Sequence, residues 1–107
     1  MRISLSIQEA AKLLDDAICG GSITGERIDH YAVTAPGVGV CVVLVYEKHY
    51  WRAGNRLTLT VTMDNFTGHT CVHSVSGGGG EGLLRFDWGA SASFADVVEN
   101  TLGRYKV

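Results

Sequence analysis

Three residues of types that commonly bind metal ions lie at alternate positions along one segment of the chain, at His69, Cys71 and His73. In a strand, alternate side chains point to the same face, and imidazole and thiolate groups are ligands for zinc and copper. If a three-residue turn precedes this strand, however, Cys71 pairs with Met63 among apolar neighbours that supply no fourth ligand. We therefore expect neither a metal ion nor another cofactor here.

Glu47 and His49 could do acid–base chemistry, because they lie two residues apart on one predicted strand. A carboxylate beside an imidazole can orient the ring as a general base. A base needs a nucleophile to activate, and the sequence has no G-x-S-x-G elbow and no recognised arrangement of Cys and His. We interpret the pair as a surface or interface feature and expect no enzymatic activity.

The run Ser76-Gly77-Gly78-Gly79-Gly80-Glu81-Gly82 is the one low-complexity stretch. Consecutive glycines can turn backbone N–H groups inward to bind an anion, but the run lacks both the ending of a P-loop and the spacing of a dinucleotide motif. It is predicted to be a mobile, solvent-facing connection. The alternative is a small enzyme or ligand-dependent regulator, whose pocket would comprise Glu47, His49, Gly77, Gly78, Gly79, Gly80, Asp87 and Trp88.

Composition restricts the class of protein. A chain of 107 residues with 46% hydrophobic and 19% charged residues fits one globular domain, residues 1–107. The net charge of −2 offers no surface for a phosphate backbone, so nucleic acid is not an expected partner. The N-terminus resembles no signal peptide, no segment is apolar enough to span a membrane, and three cysteines without C-x-x-C spacing suit reduced thiols. We expect a cytoplasmic protein with no membrane contact.

The order of structural elements follows from capping and turn signals. Ser6 and Glu9 form a capping box that starts a helix at Ile7, and Gly20-Gly21 ends it. A second amphipathic helix follows Ser91 or Ser93 at the C-terminal end. Strand patterns occupy residues near 26–35, 40–52, 55–65, 69–76 and 83–87, with a type II turn signature at residues 35–38.

These elements predict an α+β fold: an antiparallel meander of four or five strands, with the N-terminal and C-terminal helices packed on one face. The third strand alternates cleanly, so its apolar side chains should meet the helices. They are Leu57, Leu59, Val61 and Met63.

The register of the preceding strand depends on the turn at Ala53-Gly54-Asn55. A three-residue turn pairs Thr62 with Tyr46 and puts an apolar row on the outward face, where burial needs a partner. A two-residue turn would reverse the faces and bury that row. The first alternative predicts a homodimer, through the outward sheet face or the edge beside it, in which Leu44→Lys gives a folded monomer. Its interface residues would be Val40, Val42, Leu44 and Tyr46.

Several segments resemble a family of small uncharacterised bacterial proteins, a domain of unknown function. They are Val45-Tyr46-Glu47-Lys48-His49-Tyr50-Trp51-Arg52, the serine and glycine run at 76–80, and Phe86-Asp87-Trp88-Gly89-Ala90 followed by Phe94. The resemblance implies a single α+β domain with no established activity. The function we expect is a self-associating binding module without catalysis.

Overall fold

A computed structural model describes residues 1–20, 25–50, 55–78 and 90–107. The elements are β1 (Arg2–Ile3), α1 (Ile7–Asp15), a π-helical turn (Asp16–Gly20), β2 (Glu26–Ala35), β3 (Gly39–Tyr50), β4 (Asn55–Asp64), β5 (Thr70–Gly78), α2 (Ala90–Leu102) and a 3₁₀ turn (Gly103–Tyr105). The strand expected at 83–87 lies outside the described residues.

Helix α1 begins where the capping signal predicts. The Ser6 hydroxyl accepts a hydrogen bond from the backbone N–H of Glu9 at 3.1 Å, and the Ser6 N–H donates to the Glu9 carboxylate at 2.9 Å. Two backbone donors at the helix start are thereby satisfied. The α-helical hydrogen bonding ends at Asp15, and the chain continues to Gly20 as a π-helical turn.

The strands form one five-stranded antiparallel sheet in the order β1-β5-β4-β3-β2. The predicted meander is confirmed, as is the type II turn: Val38 N–H donates to the Ala35 carbonyl at 2.9 Å, and Gly37 has a φ of 76°. Strand β1 was not predicted, because two residues are too few to show a period. It adds to the sheet by pairing Arg2 with Cys71 and Ile3 with Thr70.

The register between β3 and β4 differs from the one expected. Tyr46 pairs with Leu59 and not with Thr62, and the last pair joins Tyr50 to Asn55. The connection therefore spans four residues, 51–54, and the pairing shifts by an odd number of positions, which reverses the face of every β3 side chain. The outward placement of the proposed interface residues was wrong, since they lie in the core or pack against it: Val40, Val42, Leu44 and Tyr46.

The core lies between one face of the sheet and the two helices. The apolar face of β4 is fully buried, as its alternation predicts, through Leu57, Leu59, Val61 and Met63. Helix α2 packs on β5 and β4, and α1 packs beside α2. We call this helix-covered side the inner face and the opposite side the outer face. In the described part of the chain, no helix is long and apolar enough to cross a membrane.

Candidate functional site

Strands β3, β4 and β5 bring part of the predicted glycine-run pocket together on the outer face. Glu47 pairs with Thr58, and Thr58 pairs with Gly77, so the three residues form one row across the sheet. Arg56 lies beside this row, with its guanidinium 3.6 Å from the Glu47 carboxylate, and it pairs with His49. The Arg56 side chain is mostly exposed, so this ion pair contributes little to stability.

The glycine run is in part a strand and not a loop. Gly77 and Gly78 end β5, opposite Thr58 and Leu57 of β4. The prediction that these two residues belong to a connection was therefore wrong, because the sheet ladder extends into the run. The remaining members of the predicted pocket lie outside the described residues: Gly79, Gly80, Asp87 and Trp88.

Cys71 and His73 lie on the outer face, and His69 is exposed before the start of β5, so none of the three is among the core residues. Cys71 pairs with Asp64, and His73 pairs with Thr62, which is one position away from the expected register. The reason is a longer connection, in which Gly68 at a φ of 93° donates its N–H to the Asn65 carbonyl at 3.2 Å. Within the described parts of the chain, no three His, Cys, Asp or Glu side chains come close enough to hold a metal ion.

A polar cluster at the C-terminal end of α1 was not predicted. The Tyr46 hydroxyl donates to one oxygen of the Asp15 carboxylate at 2.6 Å, and the Arg27 guanidinium donates to the other at 2.9 Å. A carboxylate at a helix C-terminus meets the negative end of the helix dipole, so it needs such partners. That unfavourable position of Asp15 was a signal in the sequence that a cation would lie near it.

Burial is the largest cause of the pKa shifts in and beside this cluster. It raises the pKa of the Tyr46 phenol, and the hydrogen bond to Asp15 raises it further. Burial also raises the pKa of the Cys19 thiol, with the Asp15 charge as the second cause. Cys19 is therefore a neutral thiol at physiological pH and a poor nucleophile. All three cysteines are free and partly buried. The two hydrogen bonds to Asp15 join the end of α1 to β3 and β2.

The Tyr46 hydrogen bond predicts a loss of stability at alkaline pH. The folded-state pKa lies above the ordinary value of 10.0, so the stabilisation is complete below that pH and is lost as pH rises above it. We expect the free energy of unfolding to fall by up to about 1.4 kcal/mol per pH unit from this group. Tyr46→Phe should cost roughly 0.5–1.5 kcal/mol at neutral pH.

Urea unfolding of the wild type and of Tyr46→Phe, from pH ~8 to ~11, measures this effect. The difference between the two proteins should narrow as pH rises. A constant difference across the range would show that the Tyr46 proton is not coupled to folding.

Strand β2 and the space beside it are the second feature that sequence reasoning missed. Every residue from Glu26 to Thr34 is exposed. An open groove of about 500 Å³ runs between α1 and the inner face of β2 and β3. The sequence feature that could have indicated this exposure is the composition of β2, in which Tyr31 and Val33 alternate with small or polar residues and no continuous apolar face is formed.

Comparison with known proteins places the chain in a family. It matches the model of a family of unknown function, DUF6054, over residues 1–106. The chain belongs to the DUF6054 family. The expected membership of a family without known function is thereby confirmed. No curated protein and no solved structure matches this DUF6054 chain, so its function has to be argued from its own surfaces.

Proposed function

We propose that this DUF6054 protein is a non-enzymatic interaction module of the cytoplasm that forms a homodimer through strand β2. The observation that carries the proposal is the exposure of β2, which is one of the two edge strands of the described sheet. Three of its large apolar side chains lie open to solvent: Ile28 is 47% exposed, Tyr31 61% and Val33 44%. Burying side chains of this kind against a partner contributes roughly 1.5–3 kcal/mol each when burial is complete.

The backbone of β2 supports pairing with another strand. A free sheet edge presents a row of unpaired N–H and C=O groups, and monomeric proteins commonly blunt such edges with lysine, proline or bulges. Strand β2 has one bulge, between Arg27 and Asp29, and contains neither lysine nor proline. The segment from Asp29 to Ala35 is regular, and no strand pairs with its outer edge in the described part of the chain.

The regular segment is complementary to itself. In an antiparallel pair with a two-fold axis at Ala32, Tyr31 lies opposite the partner's Val33, and the same pair occurs again across the axis. Both residues lie on the outer face, since they pair with Val43 and Cys41 of β3. An aromatic and a β-branched side chain directly opposite each other stabilise a sheet by roughly 0.2–1 kcal/mol. At the axis, Ala32 is small enough to face its own copy.

Light scattering at micromolar concentration tests the proposal. The wild type should have about twice the chain mass of 11.5 kDa. Val33→Lys should raise the dimer dissociation constant at least ~10-fold, because it removes the apolar contact of Val33 with the partner's Tyr31 in both copies. Val75→Lys is the matched control, because Val75 is 56% exposed on the outer face of β5, two strands away from β3 and three from β2, and should leave the dimer intact.

A charge pair tests the register of the two strands. Tyr31→Glu alone should weaken the dimer like Val33→Lys, whereas the double variant places opposite charges directly across the interface and should restore association. A monodisperse wild-type monomer would refute the dimer. If Val75→Lys dissociated the dimer and Val33→Lys did not, the dimer contact would lie on the outer face of the sheet and not along β2.

A further inference from the structure

We propose that the groove between α1 and strand β2 binds a neutral, mostly apolar small molecule. The groove follows the inner face of the sheet where the helices do not cover β2. Its floor is Ala32, Val40 and Val42, and one wall is formed by Ile7 and Ala11 of α1. The rest of its described lining is polar and contains no carboxylate, ammonium or guanidinium group: Ser6, Gln8, His30, Thr34 and Asn65.

The size and chemistry of the groove fit a ligand site. Small-molecule pockets usually have a volume of about 300–1,000 Å³ and an apolar lining with a few placed polar groups. The groove has about 500 Å³. Val42 on its floor belongs to the hydrophobic core and is 6% exposed, so an apolar ligand here would continue the core outwards over Ala32.

The lining excludes a charged ligand on energetic grounds. None of the ten residues that line the groove within the described part of the chain is Asp, Glu, Lys or Arg. Two backbone N–H groups at the start of α1 are already used, because the Glu9 carboxylate accepts from Ser6 and the Ser6 hydroxyl accepts from Glu9. An ionised group entering the groove would lose hydration without gaining an opposite charge, which is unfavourable.

Polar groups at the rim can orient such a ligand. The side-chain Oδ1 of Asn65 accepts a hydrogen bond from the Val40 backbone N–H at 2.8 Å, and this bond fixes the Asn65 side chain at the end of the groove. Its amide nitrogen can then donate to a carbonyl or hydroxyl oxygen of the ligand. His30 and Thr34 offer a ring nitrogen and a hydroxyl on the β2 side. A long-chain alcohol or a comparable neutral molecule has this combination of groups.

The partner's β2 would complete the site, and this step rests on the proposed function. A two-fold axis perpendicular to the sheet puts both grooves on the same face of the combined sheet. The side of the groove that is open in one chain then borders the partner's His30, Ala32 and Thr34. The monomeric Val33→Lys variant should therefore bind the ligand at least ~10-fold more weakly, although Val33 itself faces the other side of the sheet.

Fluorescence titration with Nile red, a neutral apolar dye, tests the site. Decanol should displace the dye, whereas decanoate and decylammonium should be at least ~10-fold weaker at neutral pH. Ala11→Phe fills the groove from the helix and should weaken dye binding by a similar factor, while Ala17→Phe, on the exposed side of the π-helical turn, should not. Thr34→Asp places a charge at the rim of the groove at an exposed position outside the core, and Thr60→Asp on the outer face is its control.

The outcomes separate this inference from the proposed dimer. If decanoate displaced the dye as well as decanol does, the proposal that the ligand is neutral would be overturned. If neither Ala11→Phe nor Thr34→Asp changed dye binding, the proposal that the groove is the binding site would be overturned. If the wild type is a monomer and binding still depends on these two residues, the groove stands and the dimer fails. If the wild type is a dimer and Val33→Lys binds the dye normally, the partner does not complete the site.

Discussion

Leu44→Lys is expected to unfold the protein at neutral pH. Leu44 has no exposed surface and pairs with Val61 at the centre of the inner face. The substitution removes roughly 1.5–3 kcal/mol of apolar burial and places an ammonium group in the hydrophobic core. The desolvation cost adds several kcal/mol, and domains of this size have only about 5–15 kcal/mol of stability.

Val45→Lys, one residue further along β3, is the matched control. Val45 pairs with Thr60 and faces the outer side, where a lysine ammonium can remain in water. This variant should stay folded, with a free energy of unfolding within about 1 kcal/mol of the wild type. Circular dichroism and urea unfolding distinguish the two variants. If Leu44→Lys folded normally while Val45→Lys did not, the faces of β3 would be the reverse of those described.

Phe94→Ala should have the next largest effect, a loss of about 3–5 kcal/mol in the free energy of unfolding. Phe94 is fully buried on α2, the helix that packs on β5 and β4. Removing the ring leaves a cavity that the rigid sheet cannot close, so the loss exceeds the transfer energy alone.

The control on the same helix is Asp96→Ala, because Asp96 is exposed and its loss should change stability by no more than about 0.5 kcal/mol. Urea unfolding measures both variants. A small loss for Phe94→Ala would mean that α2 contributes little to the core.

Local signals in the sequence predicted the elements well, because each depends on a few neighbouring residues. The Ser6 and Glu9 capping box located the start of α1, and Pro36-Gly37 located a turn. The strand pairing could not be obtained in the same way. One residue more or less in a connection reverses the face of the sheet to which each side chain of the adjoining strand points. The turn composition at residues 53–55 did not determine how many residues the connection holds.

The candidate sites likewise include features that local sequence patterns predict and features that they do not. Glu47 and Gly77 were expected to approach each other, and the sheet places them in one row because both belong to neighbouring extended segments. The groove beside β2 could not be foreseen, since it exists only because two helices cover less width than five strands. The Tyr46 and Asp15 hydrogen bond joins residues 31 positions apart, which no local pattern encodes.

Strand β1 has a consequence for how the chain folds. Met1 and Val72 exchange backbone hydrogen bonds, and Ile3 forms a bridge with Lys106, so the first residues contact both the last strand of the meander and the residues after α2. These contacts span most of the chain and carry the largest loop-closure entropy, whereas the hairpins between β2 and β5 close over short turns. We therefore expect the meander to form first and β1 to join last. Amide hydrogens at Ser4 and Val107 should then exchange faster than those in the middle of β4.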